Sequence, residues 1–114
     1  MLGSFKNGTV VSPLFSAFGP EPIATRVNLG EGAVLVTTSS LYRRKVAKIR
    51  AELPTLRHVL VVDDEDAAVD LPGTLNLTRL MEATSDRFDI VPTQSEDMSL
   101  LHFTSGTTGT PKGA

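Results

Sequence analysis

The sequence has 114 residues, enough for one domain or part of one, with 40% hydrophobic and 21% charged residues. That mixture excludes a disordered or collagen-like chain, and a formal net charge of −2 gives no broad attraction to nucleic acid or an anionic membrane. Cysteine is absent, which excludes disulfides and thiolate metal sites.

Strand and helix signals alternate along the chain. Thr9–Leu14 is β-branched, follows the turn pair Asn7-Gly8, and predicts a short strand ended by Pro13. A loop over 15–19 leads to Pro20, which suits a first helical position, with Glu21 beside the positive end of the helix dipole. Ile23, Ala24 and Val27 form an apolar stripe, and Gly30 is a helix stop. Ala33–Thr38 is a continuous apolar run, as in parallel strands buried on both faces. Ser39 or Ser40 can cap the next helix, where Tyr42, Val46, Ile49 and Leu53 share one α-helical face until Pro54 ends it.

Val59–Val62 predicts a second buried strand, and the acidic, turn-rich stretch 63–73 predicts a surface loop. Asn76 can cap a short helix carrying Leu77, Leu80 and Met81. Residues 84–97 are polar and irregular, with Ile90-Val91 a brief strand, and Asp97–Phe103 predicts a last strand. Repeated β-then-α order implies an α/β fold, a doubly wound parallel sheet with flanking helices. Such sheets bind ligands beyond the carboxyl ends of their strands.

Directly after that last strand, residues 103–113 read Phe-Thr-Ser-Gly-Thr-Thr-Gly-Thr-Pro-Lys-Gly. Gly106, Gly109 and Gly113 permit tight turns and bring N–H groups near a polyanion. The hydroxyls of Thr104, Ser105, Thr107, Thr108 and Thr110 can donate to phosphate oxygens, and Lys112 adds a mobile positive charge. The spacing is not that of a Walker A loop, because Pro111 stands where the second glycine belongs and Gly113 where a hydroxyl belongs. The dinucleotide pattern Gly-x-Gly-x-x-Gly is also unmet.

The stretch resembles the phosphate signature of the adenylate-forming superfamily: aromatic-Thr-Ser-Gly-Ser/Thr-Thr-Gly-x-Pro-Lys-Gly. Every fixed position is met from Phe103 to Gly113. A second stretch, Gly8–Ile23, resembles the acetyl-CoA synthetase branch through Pro13-Leu14-Phe15-Ser16-Ala17-Phe18-Gly19-Pro20, as does Leu101-His102-Phe103. The resemblance implies a partial AMP-binding domain over 1–114, with its phosphate loop at 103–113. Its enzymes join a carboxylic acid to ATP, with Mg²⁺, and pass the acyl group to coenzyme A. Thr104, Ser105, Gly106, Thr107, Thr108, Gly109 and Lys112 would then hold the β- and γ-phosphates, with Lys112 neutralising charge during catalysis.

A copy that stops one residue beyond its loop is expected to lack activity by itself, its chief partner being the remainder of its own polypeptide. A ligase for a longer or aryl acid, and a phosphate-binding module without chemistry, are the other readings left open. No nucleic-acid or membrane partner is expected. Met1–Gly8 lacks a basic-then-apolar leader and no run is long enough to span a bilayer, so a cytoplasmic setting is expected.

Outside the loop, the basic run Arg43, Arg44, Lys45, Lys48 and Arg50 reads as a solvated helix face, with a nucleic-acid or CoA-phosphate patch as the sharper alternative. Asp63, Asp64, Glu65 and Asp66 lack EF-hand spacing and read as an exposed acidic loop. His58 and His102 form no catalytic constellation, although His102 lies close to the loop.

Overall fold

The computed structural model describes residues 1–64, 70–104 and 110–114. In chain order its elements are α1 (Leu2–Lys6), α2 (Pro20–Leu29), β1 (Val34–Thr38), α3 (Ser39–Leu41), β2 (His58–Val62), β3 (Leu75–Asn76), α4 (Leu77–Glu82), β4 (Phe103–Thr104) and β5 (Lys112–Gly113). They divide into two compact units, Ser16–Ser85 and Met1–Phe15 with Asp86–Ala114.

The Ser16–Ser85 unit is an α/β layer. β1, β2 and β3 form a parallel sheet in that order, with Val34 opposite His58 and Leu60 opposite Leu75. Tyr42, Val46, Val59 and Val61 make the buried cluster, with Leu35, Leu56 and Leu71 against it. Val34 and Val36 project to the other face, 52% and 55% exposed, so the expectation of burial on both faces is overturned for β1. Strand alternation explains the split, since Val34 and Val36 share one face while Leu35 and Thr37 take the other.

α2 begins as the sequence predicts, with Gly19 extended before it, Pro20 in its first turn, and Ile23 and Val27 buried. The chain leaves the helix at Gly30, but the left-handed residue is Glu31, with φ 50°. Gly32 then closes onto the Val27 carbonyl at 2.9 Å.

The segment after β1 keeps its expected inward face, because Tyr42, Val46, Ile49 and Leu53 are all buried. Its winding differs from one continuous α-helix. Only Ser39–Leu41 is α; Tyr42–Val46 is a π turn and Arg50–Glu52 a 3₁₀ turn. The π turn shows in the bond from Ala47 N to Tyr42 O, 2.9 Å, one residue longer than an α bond. The cap is Thr38, whose Oγ1 accepts from Leu41 N at 3.4 Å, not Ser39 or Ser40. Those two serines are turned instead toward Asp64. Asn76 caps α4 as expected, accepting from Arg79 N at 3.0 Å, and it also ends β3, a two-residue strand the hydropathy pattern does not reveal.

In the unit formed by Met1–Phe15 and Asp86–Ala114, three strand expectations fail. Thr9–Leu14 supplies only a parallel bridge between Val11 and Leu100, because Pro13 has no N–H to donate to a ladder. Asp97–Phe103 shrinks to that bridge and β4, since Asp97 closes a turn by accepting from Gln94 N at 2.8 Å. Ile90-Val91 forms no strand; Val91 N instead donates to Lys6 O at 2.9 Å, the end of α1. α1 itself has no apolar stripe to announce it and ends at Asn7, with Gly8 left-handed at φ 71°.

Candidate functional site

β4 and β5 pair antiparallel, Phe103 opposite Gly113 and Thr104 opposite Lys112. Beyond them His102 N donates to Ala114 O at 3.0 Å and Ala114 N returns a bond to His102 O at 2.8 Å. The ribbon therefore clamps both ends of the glycine- and threonine-rich loop onto one rung. Of the expected phosphate ligands, Thr104 and Lys112 are brought directly opposite each other. Ser105, Gly106, Thr107, Thr108 and Gly109 lie outside the described residues.

Lys112 is exposed. Among the described residues it has no acidic partner, so its ammonium is available to an anion. Thr104 Oγ1 reaches Lys112 O only at 3.5 Å, the outer limit of a hydrogen bond, which leaves the hydroxyl free to turn toward a ligand.

Gly113 serves packing rather than the turn assigned to it above. It is absent from the positive-φ glycines, and a Cβ there would lie 3.0 Å from Leu101 Cδ1 and 3.6 Å from Phe103 Cε1. A side chain at this position would require Leu101 to give way by a few tenths of an ångström, while Phe103 would be in ordinary contact.

A second polar cluster lies at the carboxyl edge of the three-stranded sheet, and sequence reasoning missed it. Asp64 Oδ1 accepts from Ser39 Oγ at 2.7 Å and from Ser40 N at 3.1 Å, while its Oδ2 accepts from the Ser40 hydroxyl. The Ser39 hydroxyl first, then that of Ser40, holds the Asp64 carboxyl well below the usual carboxylate range. Asp63 Oδ2 accepts from Asn76 Nδ2 at 2.7 Å, and its buried Oδ1 has no hydrogen-bond partner among the described residues. Asp63 and Asp64 are thus anchors between strands rather than part of a free acidic loop; Glu65 and Asp66 lie outside the described residues. The available signal was positional: a serine pair ending one strand and an aspartate pair ending the next. Among the described residues no three His, Cys, Asp or Glu side chains gather as a metal-binding group.

The basic run is also more specific than a solvated face. Arg43, Arg44 and Lys48 are exposed, but Lys45 Nζ donates to Ser16 O at 2.6 Å. Arg50 Nη1 donates to Gly73 O at 2.6 Å and Tyr42 OH at 3.2 Å, fixing the return of the chain before β3. Among the described residues no helix is long and apolar enough to cross a membrane.

A family model described as AMP-binding enzyme matches residues 1–114. The chain is 40% identical over 113 residues to acetyl-coenzyme A synthetase of Bacillus subtilis, covering 99% of this chain and 19% of that protein. It is 34% identical over 107 residues to the human mitochondrial acyl-coenzyme A synthetase ACSM5, covering 94% of this chain and 18% of the relative. Its structure resembles that of a Brucella canis acyl-CoA synthetase with a TM-score of 0.80 and 26% identity, over 99% of this chain and 19% of that one. The chain thus spans about a fifth of the length of the relatives it matches, and the likeness extends well beyond the loop.

Proposed function

The chain belongs to the AMP-binding enzyme family, and from that membership we propose that it carries the polyphosphate-binding part of an AMP-forming acyl-CoA ligase. The carrying observation is the β4–β5 rung, which seats Thr104 against Lys112 at the two ends of the loop, with Lys112 exposed and free of an acidic partner among the described residues. On this reading residues 1–114 are part of an AMP-binding domain with its phosphate loop at 103–113.

In the reaction a carboxylate attacks the α-phosphorus of ATP, giving an acyl-adenylate and pyrophosphate. Coenzyme A then takes the acyl group and releases AMP. Negative charge grows on the departing pyrophosphate, and fixed donors already aimed at it lower the barrier. Lys112 supplies a positive charge there. Thr104, with Ser105, Gly106, Thr107, Thr108 and Gly109 from the signature, supplies donors. Mg²⁺ would shield the polyphosphate charge; the described residues present no cluster to hold it, so no protein ligand is assigned to it.

Acetate or another short acid is the proposed substrate. The Gly8–Ile23 stretch and the 40% identity to an acetyl-coenzyme A synthetase support it. The 34% identity to ACSM5, an acyl-coenzyme A synthetase, supports a different acid as the second reading. Binding without turnover is the activity proposed for the 114-residue chain, in a cytoplasmic setting where ATP and coenzyme A are both supplied.

Calorimetry of the chain with ATP and with inorganic pyrophosphate tests the loop. Acid-dependent ATP–pyrophosphate exchange in a full-length ligase carrying this chain tests the chemistry, and a comparison of acetate with longer acids tests the substrate. Binding without exchange in that full-length protein would leave only a phosphate-binding module.

A further inference from the structure

We propose that His102, which lies outside the phosphate signature, is a further polyphosphate ligand, acting beside Lys112 on one face of the β4–β5 ribbon. The inference rests on the phosphate reading above and extends it by one residue.

The reciprocal bonds between His102 and Ala114 continue the antiparallel ladder one rung past Phe103–Gly113. Side chains alternate along such a ribbon, so His102, Thr104 and Lys112 share one face, and Leu101, Phe103 and Gly113 share the other. The surroundings agree with that division. Leu101 and Phe103 crowd the Gly113 position and are half-buried, whereas His102, Thr104 and Lys112 are exposed. The ribbon thus has an apolar side and a side, shared with Ala114, on which His102, Thr104 and Lys112 each carry a donor suited to phosphate.

His102 is the cross-ribbon diagonal neighbour of Lys112. Such neighbours stand about 7–8 Å apart at the backbone, within reach of long side chains. A polyphosphate extends over several ångströms, so one anion can meet the Lys112 ammonium and the His102 imidazole together. An imidazole offers an N–H donor to phosphate oxygens. No hydrogen bond or ion pair occupies the imidazole among the described residues. The ring therefore has donor capacity to give.

Binding of inorganic pyrophosphate to the chain tests the assignment. His102→Leu should bind about fivefold more weakly, the scale of one charge-assisted bond at an exposed site, and His102→Gln should recover most of that loss through its amide N–H. A purely structural role would not be rescued by Gln over Leu. The unaltered chain supplies a second measurement that needs no folded variant. It has two histidines; saturating pyrophosphate should move the ring resonances of His102 and leave those of His58, on β2, in place. Equal affinity in wild type and a folded His102→Leu, or unmoved His102 resonances at saturation, would overturn the proposal while leaving the loop reading intact. A wild-type chain that binds neither pyrophosphate nor ATP would overturn both.

Discussion

Ser39 donates its hydroxyl to Asp64 Oδ1 at 2.7 Å, tying the carboxyl end of β1 to the residues just beyond β2. Ser40 adds its N–H at 3.1 Å and its hydroxyl. These bonds favour the ionised carboxylate, which is why its affinity for a proton falls below the ordinary carboxylate range. A depressed folded value stabilises the fold fully above the unfolded value of about 3.9 and is lost as pH falls through the folded one. Asp64→Asn should therefore lower the melting temperature modestly at pH 7, because the site is exposed, and should flatten the decline in stability between about pH 5 and pH 2. Parallel acid-unfolding curves for parent and variant would reject the tie as a source of acid sensitivity.

The two faces of the sheet predict opposite responses to substitution. Val61 is 2% exposed within the buried cluster, so Val61→Ala removes two buried methyl groups and leaves a cavity. The expected cost is about 2 kcal/mol. Val36 is 55% exposed, and Val36→Thr there should change stability by less than about 0.5 kcal/mol. Urea unfolding of the two variants checks the difference; equal losses would mean that the Val36 face is packed as well.

That contrast shows where the sequence was legible. Side-chain periodicity identified Tyr42, Val46, Ile49 and Leu53 as an inward face, and all four are buried. It did not reveal the π turn at Tyr42–Val46, because the same residues go inward with either winding. Short strands were the least legible: β3, β4 and β5 have two residues each, too few to show alternation. The loop was plain from its spacing. Its closure as a ribbon was not, because pairing Phe103 with Gly113 is a contact between distant positions and leaves no local pattern. The Ser39–Asp64 tie was hidden for the same reason, its partners being 25 residues apart.

Gly113→Ala should weaken pyrophosphate binding without touching a ligand. The new Cβ would sit 3.0 Å from Leu101 Cδ1, close enough to force the ribbon or that side chain to shift. Leu101 Cδ1 is the tip of a flexible side chain and Gly113 is exposed, so a shift of a few tenths of an ångström relieves the contact and the expected loss is about 0.5 kcal/mol. Shortening the neighbour relieves it, so Leu101→Ala in the Gly113→Ala background should restore part of the affinity. Calorimetry across this double-mutant cycle measures the coupling, and strictly additive losses would show that the crowding at Gly113 is not what matters.

Lys112 should matter most where pyrophosphate departs. Its ammonium is exposed and has no acidic partner among the described residues, so removing it strands no buried carboxylate, and a loss of function can be assigned to the ligand. Lys112→Ala in a full-length ligase carrying this chain is expected to reduce acid-dependent ATP–pyrophosphate exchange by about 100- to 1000-fold, the scale of removing one preorganised electrostatic contact. Transfer from a supplied acyl-adenylate to coenzyme A involves no pyrophosphate and should change by less than about threefold, since nothing charged at that loop develops in the second step. Lys112→Arg keeps the charge but not its compact shape and should fall between. Normal exchange in Lys112→Ala would remove the lysine from the mechanism. Equal damage to both half-reactions would make its role one of holding the ribbon together.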